Sequence, residues 1–146
     1  MSDWRHNLLE DDDEITDLVR ASRRIAVLGI KPDSHMGKPA YSVAAYLQKQ
    51  GCDIVPVPVY YPEVREMLGR PVYRKVSEVP GDIDIVDVFR RQEDIPAHLD
   101  DIISKRPKAV WFQLGIRNDS AAQKLAEAGI KVVQDRCLKI ERRRLD

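Results

Sequence analysis

Short apolar runs alternating with longer segments of helical periodicity constrain this chain more than any other feature. The runs are Arg24–Gly29, Ile54–Pro58, Ile83–Phe89, Ala109–Phe112 and Lys131–Asp135, each strand-sized. Four helices are predicted beside them. Glu14–Ser22 aligns Ile15, Leu18 and Val19. Ala40–Gln50 aligns Val43, Ala44, Tyr46 and Leu47. Glu93–Lys105 aligns Ile95, Leu99, Ile102 and Ile103. The fourth starts at a cap, Asn118 or Asp119, and runs to about Ala128. Gly51 and Gly129 stand where helix C-termini place glycine. Tyr60–Tyr73 is a Pro/Gly-punctuated connection with one helical turn expected at Glu63–Leu68, and Lys139–Asp146 is expected to be a short polar surface segment.

Strands alternating with helices are βαβ units, and their crossovers are right-handed. That forces a doubly wound α/β architecture, a parallel five-stranded sheet with helices on both faces. A length of 146 residues suits one domain, 1–146. The expected strand order is 3-2-1-4-5, half of a dinucleotide-binding sheet; the order 2-1-3-4-5 satisfies the same rules. Pro56 and Pro58 argue that the second strand ends early or lies at an edge.

Charge and apolar length exclude several classes of function. Lys and Arg total 24, and Asp and Glu total 24, so no net field draws the chain to nucleic acid or to a membrane surface. No apolar run approaches the roughly 18 residues of a membrane span. The opening Met1–Asn7 leads into the acidic Glu10–Glu14 with no basic and then apolar region, so no signal peptide and a cytoplasmic location are expected. Cys52 and Cys137 form no CxxC motif and read as two thiols.

Doubly wound sheets bind ligands beyond the carboxyl ends of their strands, where the strand order reverses. The candidate loops are therefore Gly29–Pro39, Pro58–Pro62, Phe89–Gln92, Gln113–Asn118 and Asp135–Leu138. In the first, Gly37-Lys38-Pro39 opens a helix, whose free N–H groups and dipole suit a phosphate, and Lys31 and Lys38 add positive charge. Arg90 and Arg91 follow the third strand, and arginine forks take phosphate bidentately. Gln113 and Gly115 place an amide and a bare backbone after the fourth.

Known nucleotide motifs do not fit. The stretch from Gly29 to Gly37 contains no G-x-G-x-x-G, and Pro39 stands where a Walker loop needs Ser or Thr. The second strand ends in Val57-Pro58-Val59-Tyr60, without the carboxylate that would bind an NAD ribose. Catalytic groups are sparse. His6, His35 and His98 have no metal-ligand spacing, and no Ser sits in a G-x-S-x-G elbow. Asp84 and Asp87 read as capping or salt-bridge partners. Cys137, beside Arg136 at a strand end, reads as a packed thiol, with an activated thiolate as the alternative.

Taken in order, Ile25–Gly29, Val55–Val57, Ile85–Arg90, Val110–Gly115 and Val133–Cys137 resemble one family across about Thr16–Arg144. It is that of the small stand-alone CoA-binding proteins, related to the CoA-binding domain of the succinyl-CoA synthetase alpha subunit. The resemblance implies a Rossmann-like fold holding CoA or an acyl-CoA at the strand C-termini. Gly29, Ile30 and the Lys38-Pro39 helix start would face the pyrophosphate, and Pro58 and Val59 the adenosine. Phe89, Arg90 and Arg91 would flank the nucleotide; Gln113, Gly115 and Ile116 would border the pantetheine. The family usually reads Pro-Val-Asn-Pro after the second strand, commonly followed by a base. Here Pro56-Val57-Pro58-Val59-Tyr60 stands there and the next base is Arg65, so an altered 3′-phosphate contact is expected.

The synthetase's phosphorylated histidine belongs to a second domain that the resemblance does not cover. The expectation is a non-catalytic nucleotide-binding module for CoA, with a homodimer one assembly to expect. Two alternatives stand beside it. One is an NAD(P)-linked or acyl-CoA-processing enzyme using Cys137 or His35; the other is a regulatory protein whose nucleotide site has decayed.

Overall fold

The computed structural model describes residues 3–145; Met1, Ser2 and Asp146, the ends of the two terminal segments read above, lie outside the described residues. A five-stranded parallel sheet is built from β1 (Arg24–Leu28), β2 (Asp53–Val57), β5 (Ile85–Val88), β6 (Ala109–Phe112) and β7 (Lys131–Val133), in the order β2-β1-β5-β6-β7. A two-stranded hairpin, β3 (Glu66–Met67) with β4 (Arg70–Pro71), lies outside it.

Counted along the main sheet alone, the order is 2-1-3-4-5, which corrects the expected 3-2-1-4-5. Pro56 supplies the reason. Its carbonyl points to the outer edge of β2 and accepts from the Tyr73 N–H at 3.0 Å. A strand's N–H and C=O at one residue point the same way, so the donor that proline lacks is also missing from that edge. A further strand there would meet a gap in its ladder. The chain instead crosses over β1, and Asp84 fixes β5 on the far side. Its carboxylate accepts from the N–H groups of Arg23 and Arg24 at 2.9 Å each, and its own N–H donates to the Arg24 carbonyl.

Each strand is buried on both faces, as a helix-covered parallel sheet requires. On one face α1 (Asp12–Ala21), α2 (Pro39–Lys49) and α5 (Leu138–Arg143) cover Ile25, Val27, Ile85 and Trp111. On the other, α3 (Leu99–Lys105) and α4 (Asp119–Glu127) cover Ala26, Leu28, Val86 and Phe112. Trp111 and Phe112 thus point to opposite faces, both fully buried.

Three local expectations are corrected. Glu63–Leu68 is not helical: Leu68 and Gly69, at φ +53° and +72°, form the tight turn of the hairpin. Glu93–Lys105 begins as a 3-10 segment, Gln92–His98, with Pro96 inside it, whose ring would clash with the i−4 carbonyl of an α-helix, and becomes α3 only at Leu99. The C-terminal segment is not merely polar surface. Most of it belongs to α5, and Glu141 within it is buried, paired with Arg144 at 3.0 Å and Arg136 at 3.7 Å.

Candidate functional site

The strand order reverses between β1 and β5, so the crevice rule points to their carboxyl ends. There Gly29 sits at φ +87°, and a Cβ on it would lie 2.4 Å from the Phe89 carbonyl oxygen. No other residue lets the two loops approach so closely. Beside them opens a cavity of about 640 Å³, within the usual range for small-molecule sites. The β1–α2 loop supplies Lys31, Lys38, Pro39 and Ala40, and the loop after β5 supplies Phe89, Arg90, Arg91, Gln92 and Glu93. The loop after β6 supplies Gln113, Leu114, Gly115 and Ile116, and Cys137 closes the side nearest α5.

The cavity thus gathers nine of the thirteen sequence-nominated binding residues. Gly29 lies beneath it as the packing point described above. Ile30 and Pro58 are buried and Val59 packs against the core, so these three are not among the residues lining it. Ala40, Gln92, Glu93 and Leu114 line it without having been nominated. Helix periodicity and loop position carry no signal for which of their side chains turn inward.

The cations differ in how they are held. Arg90 is 15% exposed: its Nε donates to His98 Nε2 at 3.1 Å, an Nη lies 3.8 Å from Asp94, and the guanidinium sits 5.5 Å from the Tyr60 ring centre. Arg91 is solvent-exposed, with Nε 2.9 Å from Asp94 and 3.5 Å from Glu93. Its hydrogen bond to Asp94 raises the Arg91 pKa and holds the Asp94 carboxyl below its ordinary value. Lys31 and Lys38 make no ion pair among the described residues, and Lys38 is the residue before Pro39 opens α2.

On the opposite wall, Gln113 is buried and its side-chain oxygen accepts from the Leu138 N–H at 2.9 Å, tying the β6 loop to the start of α5. Gly115, at φ +86°, donates its N–H to the Asp135 carboxylate at 2.7 Å. Cys137 therefore stands beside the Gln113–Ile116 turn, whereas Cys52 is buried just before β2 at the far end of the sheet. Both cysteines are free, and burial raises the Cys52 thiol pKa against the opposing pull of Arg142.

The other titratable candidates are placed elsewhere. His35 tilts against the Tyr61 ring, 5.6 Å centre to centre, and is not part of the cavity lining. Asp84 is a structural partner as expected. Its burial would raise the pKa, but two backbone N–H groups and Lys108 outweigh that and hold it below the ordinary value. Asp87 corrects the expectation of a capping or salt-bridge residue. It is fully buried between Val27 and Trp111 of the neighbouring strands, neither carboxylate oxygen has a partner among the described residues, and desolvation raises its pKa well above the ordinary value. The segment after β2 is shaped by Arg74, which donates to the carbonyls of Tyr60, Tyr61, Pro62 and Val64.

A model of the CoA binding domain matches residues 23–143 of this sequence. The chain belongs to the CoA-binding domain family. It is 35% identical over 129 residues to the Bacillus subtilis (strain 168) protein YneT, covering 87% of this chain and 90% of that one. The structure of cell-free ID.343 from Thermus thermophilus superimposes with a TM-score of 0.85 at 36% identity, over 94% of this chain and 100% of that one. In fold alone, this CoA-binding domain is also like part of the dinucleotide forming acetyl-coenzyme A synthetase 1 of Ca. Korarchaeum cryptofilum. There the TM-score is 0.66 at 19% identity, over 80% of this chain and 27% of that one. Among the described residues no helix is long and apolar enough to cross a membrane.

Proposed function

We propose that the cavity at the strand C-termini binds CoA or an acyl-CoA, and that the protein is a binding module without catalysis of its own. One observation carries this reading. Lys31, Lys38, Arg90 and Arg91 converge from two loops onto one cavity whose opposite wall is the largely apolar Leu114–Ile116 turn with Cys137. The basic side suits phosphates and the apolar side a pantetheine arm. Membership of the CoA-binding domain family supports it. Among the described residues no histidine lines the cavity to serve as a base for Cys137, which favours binding over turnover.

Calorimetry with CoA and with NAD tests the reading. CoA binds in the micromolar range and NAD does not compete, because Tyr60 stands where a ribose-binding carboxylate would. Tight NAD binding with no heat from CoA overturns it. Native mass spectrometry of protein purified from cells reads the retained ligand and the balance of monomer and homodimer together.

A further inference from the structure

The histidine behind Arg90 is not among the residues lining the cavity, yet its geometry is restrictive. Arg90 Nε donates to His98 Nε2 at 3.1 Å. A guanidinium has donors only and keeps its charge, so Nε2 must be the acceptor. That geometry assigns His98 as neutral, with its proton on Nδ1. Asp94 at 3.8 Å and the Tyr60 ring at 5.5 Å steady the same guanidinium from other sides.

From this we infer that His98 is a positioning residue: its neutral ring holds Arg90 at the cavity wall, and protonating it releases Arg90 and weakens anion binding. The inference rests on reading the cavity as a CoA site. Protonated His98 carries donors on both ring nitrogens. Arg90 Nε then has no acceptor there, and two cations face each other at 3.1 Å.

Three charged groups act on His98. Arg90 faces it from the loop after β5, Asp94 from its own 3-10 segment and Asp101 from α3. Neither carboxylate bonds it. Asp94 is drawn to Arg91 at 2.9 Å, and the Asp101 oxygens accept the N–H groups of Val76 and Ser77 at 2.8 and 3.2 Å. Burial first, and Arg90 second, lower the His98 pKa against the pull of both acids, so the clamp is intact at neutral pH. A phosphate beyond Arg90 also attracts a proton to His98, but from behind the guanidinium. Breaking the 3.1 Å hydrogen bond outweighs that attraction, which sets the sign.

Two measurements test the inference. In the ligand-free protein, ring-nitrogen NMR should show the Nδ1–H tautomer of His98 titrating below ordinary histidine, and Arg90→Ala should raise that titration. An Nε2–H tautomer, or no response to Arg90→Ala, overturns the clamp. The second is calorimetry of CoA at pH 7.5 and 5.5 with wild type and His98→Gln, whose amide oxygen accepts from Arg90 at either pH. The two should bind within about twofold at pH 7.5. At pH 5.5 wild type should bind several-fold more weakly than the variant; the loss stays below about tenfold because a titration below ordinary histidine leaves part of His98 unprotonated there. Titration of the ligand's own phosphates cancels in that ratio. Parallel pH profiles overturn the inference. Failure of wild type to bind CoA at pH 7.5 overturns the CoA reading instead, while the NMR result still decides the clamp.

Discussion

The two ends of the sheet are built to opposite rules. Where the strands begin, charges are consumed by structure. Asp84 takes two backbone N–H groups and Lys108, and Arg24 spans Asp53 and the carbonyls of Pro80 and Asp82. Where the strands finish, Lys31 and Lys38 are unpaired among the described residues, Arg91 is 72% exposed and Gly29 holds two loops in close approach. The first end spends its donors on holding strands together. The second keeps donors turned to solvent, and that difference separates stability from function along the strand axis.

Glycine substitution should break the comparison most sharply. Gly29→Ala combines a positive φ with a backbone oxygen at 2.4 Å. Strain and overpacking together should cost about 2 to 5 kcal/mol and abolish CoA binding by displacing Phe89 and Arg90. Gly51→Ala, at φ +95° with nothing within 4 Å of the added Cβ, should cost about 1 to 2 kcal/mol and leave binding intact. Urea unfolding and calorimetry of both variants read the contrast; equal losses would remove it.

Asp84 and Asp87, three residues apart, extend the comparison to pH. Asp84→Ala strands two backbone donors and should cost about 2 to 4 kcal/mol. The folded pKa of Asp84 is lowered, so its contribution is present above the ordinary carboxylate range and is lost as pH falls through the folded value. Asp87 has the opposite sign. Its raised pKa makes the fold most stable below the ordinary value, and stability declines as pH rises toward the folded value. Unfolding free energies from pH 4 to 8 should therefore fall more steeply in wild type than in Asp87→Asn. Identical slopes would mean that Asp87 is not the buried acid described.

At the functional end the effects are smaller and fall on binding. Arg90→Ala removes a half-buried, preoriented guanidinium and should weaken CoA by about 1.5 to 3 kcal/mol without unfolding the protein. Arg91→Ala should cost less, about 1 kcal/mol, because Arg91 is exposed and shared with two carboxylates. Wild-type affinity in both variants would remove the loop after β5 from the site.

The contrast between the ends also explains how much of the molecule is legible in its sequence. Alternation of Ile25–Leu28 with Val43–Leu47 reports burial on a strand and on one helix face, so the fold class and the ligand loops were legible. Strand order was carried by two residues, Pro56 through a donor missing from one edge and Asp84 through its bonds to Arg23 and Arg24. The hairpin was hidden because Leu68 takes a positive φ that its side chain does not advertise. Side-chain direction depended on partners distant in sequence. Gln113 is claimed by the Leu138 N–H, and Arg90 by the histidine that ends the 3-10 segment Gln92–His98.

The smallest effect concerns the two thiols, one at each end. Cys137 lines the cavity beside Gln113–Ile116, and Cys52 is buried before β2 with its thiol pKa raised by burial. If the pantetheine arm follows the β6 turn, CoA disulfide brings a sulfur to Cys137. The Cys137 thiolate attacks that disulfide, forming a protein–CoA mixed disulfide and releasing one CoA thiolate. Cys52 is buried and burial raises its thiol pKa, so it offers neither the approach nor a ready thiolate. Intact-mass and peptide analysis should therefore show one CoA adduct, on Cys137. Cys137→Ser should abolish it while changing CoA affinity by less than about twofold, since a thiol contributes little to binding beyond its contact area. An adduct on Cys52 alone, or none while CoA binds normally, would route the arm away from β6 and leave Cys137 as a packed thiol.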